Sequence, residues 1–104
     1  MFEESIGTLN RVKMQLENIN DLNLTVLGTT VNAEFVDEIK GRKIQFFVDE
    51  NPSNIGRVFR EKKVLHPEEL NNEHHTILPY GESGIKIQNK CREIYRGSFT
   101  LIGN

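Results

Sequence analysis

The sequence predicts an α+β fold in which an N-terminal amphipathic helix packs on a mainly antiparallel β-sheet, with a short central helix. Three observations lead there. Apolar residues recur at helical spacing from Phe2 to Ile19, alternate at strand spacing from Val31 to Val48, and return in strand-like runs after Thr76. A small SH3-like or Sm-like barrel carrying an N-terminal helix is the alternative arrangement of the same elements.

Phe2, Ile6, Leu9, Val12, Leu16 and Ile19 fall three or four residues apart and so line one helical face. Glu3 and Glu4 would sit in the first turn, where the helix dipole favours negative charge. Asn18, Asn20, Asp21 and Asn23 then end the helix. Leu24 and Val26 begin a strand that bends at Gly28-Thr29-Thr30. The next segment reads as a hairpin from Val31 to Val48, turning at Lys40-Gly41. Phe35 then faces Phe46, Ala33 faces Val48, and Glu38 pairs with Lys43 across the strands.

Pro52 fits the first turn of the central helix, with Ile55, Val58 and Phe59 inward and Arg57, Arg60, Glu61, Lys62 and Lys63 outward. His66-Pro67 stops it, and Pro67-Glu68-Glu69-Leu70 gives one further turn. Strands are expected over Thr76–Tyr80, Ile85–Tyr95 and Ser98–Ile102, with turns at Gly81–Gly84 and Arg96-Gly97. The first helix is expected to cover the Phe35/Phe46 face of the sheet.

Composition narrows the class. The chain has 104 residues, 37% hydrophobic and 27% charged, with a formal net charge of -2. That length predicts one domain spanning 1–104, and the charge balance excludes an intrinsically disordered chain. No apolar run approaches the roughly 20 residues needed to cross a bilayer. Met1-Phe2-Glu3-Glu4-Ser5 lacks the basic-then-apolar order of a secretory signal, and Cys91 is the only cysteine. These features predict a cytoplasmic protein with no membrane attachment. Residues 1–51 hold five Lys/Arg against nine Asp/Glu, and residues 52–104 hold eight against six, so charge is unevenly divided.

Several residue sets carry candidate chemistry. On an extended Ile85–Tyr95 strand, Lys86, Gln88, Lys90 and Arg92 share one face, and Arg96 sits at the adjoining turn. Arg57 and Arg60 would extend this basic stripe, which is one way to hold a phosphate backbone. Against that, the sequence pI is near 5.9, whereas nucleic-acid-binding domains usually carry a basic excess. His66, Glu69, Glu73 and His74 lie close in sequence and are all zinc-competent, but no tight CxxC or HxxxH spacing joins them. Cys91 is read as a buried core residue. No GxxxxGK[ST], GxGxxG or GxSxG occurs, and no cofactor is expected.

The stretch His74-His75-Thr76-Ile77-Leu78-Pro79-Tyr80-Gly81-Glu82-Ser83-Gly84, followed by Asn89, resembles the opening of the HNH endonuclease motif. The resemblance implies a metal held by His74, a general base at His75 and an orienting role for Asn89. The family's pattern continues to a further His or Asn ligand on a following helix. This chain has no His beyond His75, and Cys91 has no partner for the paired cysteines common in that family.

The functional expectation is a non-catalytic binding protein that engages a protein partner or a second copy of itself. Nucleic-acid binding through the basic stripe and an HNH-like nuclease are the alternatives. Frequent Asn, Ile and Lys suit an AT-rich bacterium or one of its phages, and hence an accessory protein of a phage or mobile element.

Overall fold

A computed structural model describes residues 6–20 and 23–103. Phe2, Glu3, Glu4 and Asp21 of the sequence reading lie outside the described residues. In chain order the elements are helix α1 (Ile6–Glu17), strand β1 (Leu24–Leu27), helix α2 (Val31–Lys40), and strands β2 (Ile44–Val48), β3 (Val58–Phe59), β4 (Lys62–Leu65) and β5 (His75–Leu78). Helix α3 (Ile85–Ile94) and strand β6 (Ser98–Leu101) complete the fold. A short 3-10 turn at Pro67–Glu69 stands where the sequence placed one.

The α+β composition holds, but the sheet is mostly parallel. Its strand order is β3-β4-β2-β1-β5-β6, and among the described residues β3 with β4 is the one antiparallel pair. The expected antiparallel hairpin over Val31–Val48 is therefore replaced by a β-α-β crossover. Thr30 caps α2, its hydroxyl accepting from the Ala33 amide, and Gly41 follows the last turn. Ala33, Val36 and Asp37 are buried, a spacing only a helix produces. Val31 and Phe35 also fit that helix, so the apparent alternation was two turns of a 3.6-residue period read as a strand.

Two further segments exchange roles. The central helix is absent: Pro52–Gly56 forms turns, and Val58–Leu65 is a hairpin. Its two turn residues, Arg60 and Glu61, both take positive φ, at 49° and 69°. That is the signature of a type I′ turn, normally written with Asn or Gly. Conversely, Ile85–Ile94 is helical, because Ile87 and Cys91 fall on one inward face.

The sheet is sandwiched between helices. Leu24, Val26, Phe47, Val64 and Ile77 meet Val12 and Leu16 of α1 and Ala33 and Val36 of α2 on one face. Leu27, Val48, Leu78, Phe99 and Leu101 meet Cys91 of α3 and Leu70 on the other. Phe35 lies on α2, beside the first core, whereas Phe46 packs with the second, so α1 does not cover a joint Phe35/Phe46 face. Every residue of β1 is buried, as a central parallel strand requires. Thr25 and Thr76 satisfy their hydroxyls within that dry layer by bonding each other at 2.7 Å.

Candidate functional site

The topology singles out one place on this sheet. The chain leaves β1 for a helix on one face and leaves β5 for a helix on the other, although the two strands are neighbours. At such a switch point the two connecting loops diverge beyond the carboxyl ends of the strands and leave a crevice. Here the loops are Gly28–Thr30 and Pro79–Gly84.

Part of the opening is closed by the protein itself. The Asn32 side chain donates to the Pro79 carbonyl at 2.8 Å, and the Tyr80 hydroxyl donates to the Leu27 carbonyl at 3.1 Å. Gly28 has φ +94°, and a Cβ there would fall on the Tyr80 hydroxyl. Both the backbone conformation and the close approach of the phenol require glycine. Two crevices flank this loop. One, of about 140 Å³, is lined by Gly28, Glu50, Tyr80, Ile87 and Lys90. The other, of about 210 Å³, is lined by Thr29, Asn54, Arg57, Val58, Phe59 and Val64.

The charged groups of the smaller crevice are committed to each other. Lys90 Nζ donates to both Glu50 carboxylate oxygens, at 3.0 and 2.8 Å, and the Tyr95 hydroxyl donates to Glu50 Oε2 at 2.6 Å. The hydrogen bonds from Lys90 and Tyr95 hold the Glu50 carboxyl below its ordinary value, against an opposing effect of burial. The same contact raises Lys90, while burial and then the Glu50 bond push the Tyr95 phenol up. Burial also raises the Tyr80 phenol and the Cys91 thiol. Cys91 is 1% exposed, which makes its sulfur a core atom with little thiolate character.

The residues singled out from the HNH-like stretch take other positions. The His74 Nδ1 accepts from the Asn71 amide at 2.9 Å, and its ring meets the Phe46 ring edge-on at 5.2 Å. His75 starts β5 and contacts two hydroxyls of β6, Ser98 Oγ at 2.6 Å and Thr100 Oγ1 at 2.7 Å. Strand alternation turns His75 to the face shared with Ile77, whereas Asn89 rides on α3, which packs on the opposite face. The three are thus not brought together. Among the described residues, no group of three or more His, Cys, Asp or Glu side chains converges as a metal site.

The basic residues do not form one stripe either, because helix α3 splits the four side chains that a strand would align into two i,i+4 pairs, Lys86/Lys90 and Gln88/Arg92. Lys90 is bonded to Glu50, Arg92 Nη2 reaches the Phe99 carbonyl at 3.4 Å, and Arg60 Nε is bonded to Asp37 at 2.8 Å. Lys86 is exposed on α3, Arg96 in the turn before β6, and Arg57 at the rim of the larger crevice. The sequence reading passed over Glu50, Tyr80 and Tyr95 as a group. No local pattern signals them, because Glu50 meets Lys90 and Tyr95 across 40 and 45 positions of sequence.

No protein-family model matches the chain, and neither a curated protein nor a solved structure is detectably similar to it. The fold defines a small α/β protein with a mostly parallel sheet, helices on both faces and a switch point between β1 and β5. Among the described residues, no helix is long and apolar enough to cross a membrane.

Proposed function

We propose that this chain is a non-catalytic binding protein that docks a protein partner, a second copy of itself being the first to test, on the carboxyl edge of its sheet. The carrying observation is the apolar surface around the larger crevice. Val58 is 70% exposed on the outermost strand, and Val31, two residues after the crevice-lining Thr29, is 53% exposed. Large aliphatic side chains left open beside a crevice gain free energy when a partner removes them from water, at about 25 cal/mol per Å². The polar groups nearby support binding over chemistry. In the smaller crevice Glu50 and Lys90 neutralise each other with Tyr95 donating to the same carboxylate, and the Cys91 thiol is buried in the second core. An accessory role in a phage or mobile element suits the Asn, Ile and Lys usage.

Sedimentation equilibrium over a wide concentration range, on the wild type and on Val31→Asp/Val58→Asp, tests the reading. Self-association in the wild type that the double variant abolishes supports it. A strict monomer at every concentration removes self-association. Metal-dependent nicking of plasmid DNA that is lost in His75→Ala overturns the non-catalytic reading, and salt-sensitive nucleic-acid binding that is lost in Lys90→Ala/Arg92→Ala overturns the choice of a protein partner.

A further inference from the structure

The two edges of the sheet are built differently. The β3 edge is only two residues long. The β6 edge is the sequence Ser98-Phe99-Thr100-Leu101, which runs on to Ile102 between Gly97 and Gly103 with no charge and no proline. Such a segment is rich in β-forming residues and has no internal group to discourage pairing with another strand. The register fixes which groups are open. The Ser98 and Ile102 amides donate inward, to His74 and Leu78 carbonyls at 3.0 and 3.1 Å. Alternation therefore turns the backbone groups of Phe99 and Leu101 outward.

One of those outward groups is covered from α3. Gln88 Nε2 donates to the Phe99 carbonyl at 3.1 Å, and Arg92 Nη2 approaches the same oxygen at 3.4 Å. The two residues are one helical turn apart, so both lie over the same point of the strand. As a stabilising device this is poor. Fixing two long side chains costs more in rotamer entropy than hydrogen bonds to a single carbonyl return net. As a shield it is well placed, because an incoming strand must take the Phe99 carbonyl as one of its acceptors.

We propose that Gln88 and Arg92 hold the edge of β6, the outer strand of the sheet among the described residues, closed against strand pairing by a second copy of this chain. The charge that edge strands usually carry within themselves is supplied here by the neighbouring helix. The occupant excluded is another β6, since two identical edges pair across a two-fold axis with no further complementarity required. The inference does not rest on the Val31/Val58 surface, and association there leaves β6 untouched.

The test compares the wild type with Gln88→Ala/Arg92→Ala by sedimentation velocity, together with amide hydrogen exchange at Phe99 and Leu101. The double variant is expected to sediment faster as loading concentration rises, with slowed exchange at those two amides relative to the wild type. Gln88→Lys/Arg92→Lys, which keeps two donors, is expected to match the wild type in both readouts. Wild-type sedimentation of the double alanine variant overturns the proposal. So does association that leaves Phe99 and Leu101 exchanging at the wild-type rate. Should circular dichroism show the alanine pair unfolded, the single Gln88→Ala and Arg92→Ala variants carry the same comparison, with a smaller rise expected in each.

Discussion

Removing the carboxylate of Asp37 is the most direct test of what ties α2 to the β3–β4 hairpin. The Asp37 side chain is 8% exposed and receives Lys62 Nζ at 2.6 Å and Arg60 Nε at 2.8 Å. Burial opposes its ionisation, but the hydrogen bonds and charges of Lys62 and Arg60 outweigh burial and lower its pKa below the ordinary 3.8. Breaking a deeply buried pair costs about 3–5 kcal/mol, and charge-assisted hydrogen bonds about 1.5–3 kcal/mol. Here the two cations, at 20% and 33% exposure, regain water when Asp37 is lost, so the lower range applies. Asp37→Ala is expected to cost about 2 kcal/mol and to lower Tm by roughly 10 °C in a chain of this size.

The effect has a second component in the turn. Arg60 and Glu61 both hold positive φ without being Gly or Asn, a conformation that costs on the order of 1 kcal/mol or more per residue. The Asp37–Arg60 bond helps to hold that turn, so hydrogen exchange should rise first in Val58–Leu65 of the variant. The pH dependence follows from the lowered pKa. A carboxylate that ionises more readily when folded stabilises the protein above its unfolded pKa, and the contribution disappears as pH falls through the folded value. The stability gap between wild type and Asp37→Asn should therefore be full at neutral pH and shrink below about pH 4. Urea titrations at several pH values measure it. A Tm change under about 3 °C for Asp37→Ala, or a gap that is flat from neutral pH to pH 3, would refute the reasoning.

Other outcomes follow from the same geometry. Gly28→Ala must place a methyl on the Tyr80 hydroxyl at φ +94°, and is expected to cost about 2–3 kcal/mol, partly relieved in Gly28→Ala/Tyr80→Phe, as read by urea unfolding. Gly97→Ala should cost at least as much with no rescuing partner, because its Cβ would meet the backbone carbonyls of His74 and Asn71, which cannot rotate away. Glu50→Gln removes a negative acceptor from Tyr95, so the higher of the two tyrosine ionisations, followed by phenolate absorbance, should move down toward the ordinary value. Phe47→Ala opens the first core at a fully buried site and is expected to cost about 3–5 kcal/mol in equilibrium unfolding.

Parts of the fold were legible because one local pattern admitted one reading. The α1 stripe, with Val12 and Leu16 at zero exposure, has a period no strand shares. Leu24–Leu27, His75–Leu78 and Ser98–Leu101 are short β-prone runs closed by Gly or Pro nearby. The misread segments are those in which two periods coincide. In Val31–Lys40 and Ile85–Ile94 the apolar residues fit spacing 2 and spacing 3.6 almost equally, and the deciding signals were the cap at Thr30 and the inward pair Ile87 and Cys91. The Val58–Leu65 hairpin was hidden because Arg60-Glu61 carries no turn signature. Its turn is supported from Asp37, 23 residues away from Arg60 in sequence. The grouping of Glu50 with Lys90 and Tyr95 was not legible at all, since contacts across 40 and 45 positions leave no local trace.

By itself, then, the sequence determined the buried stripe of the first helix, the short β-prone runs at Leu24–Leu27, His75–Leu78 and Ser98–Leu101, and that the charge is unevenly spread. Those are properties of residues and their near neighbours. The tertiary structure alone decided that the sheet runs parallel, because strand direction depends on the crossover helices that cover it. It also decided that Lys90, Arg92 and Arg60 serve partners inside the molecule, and that β1 and β5 part at a switch point. Charge and hydrogen bonding act through space, and only the folded chain fixes those distances.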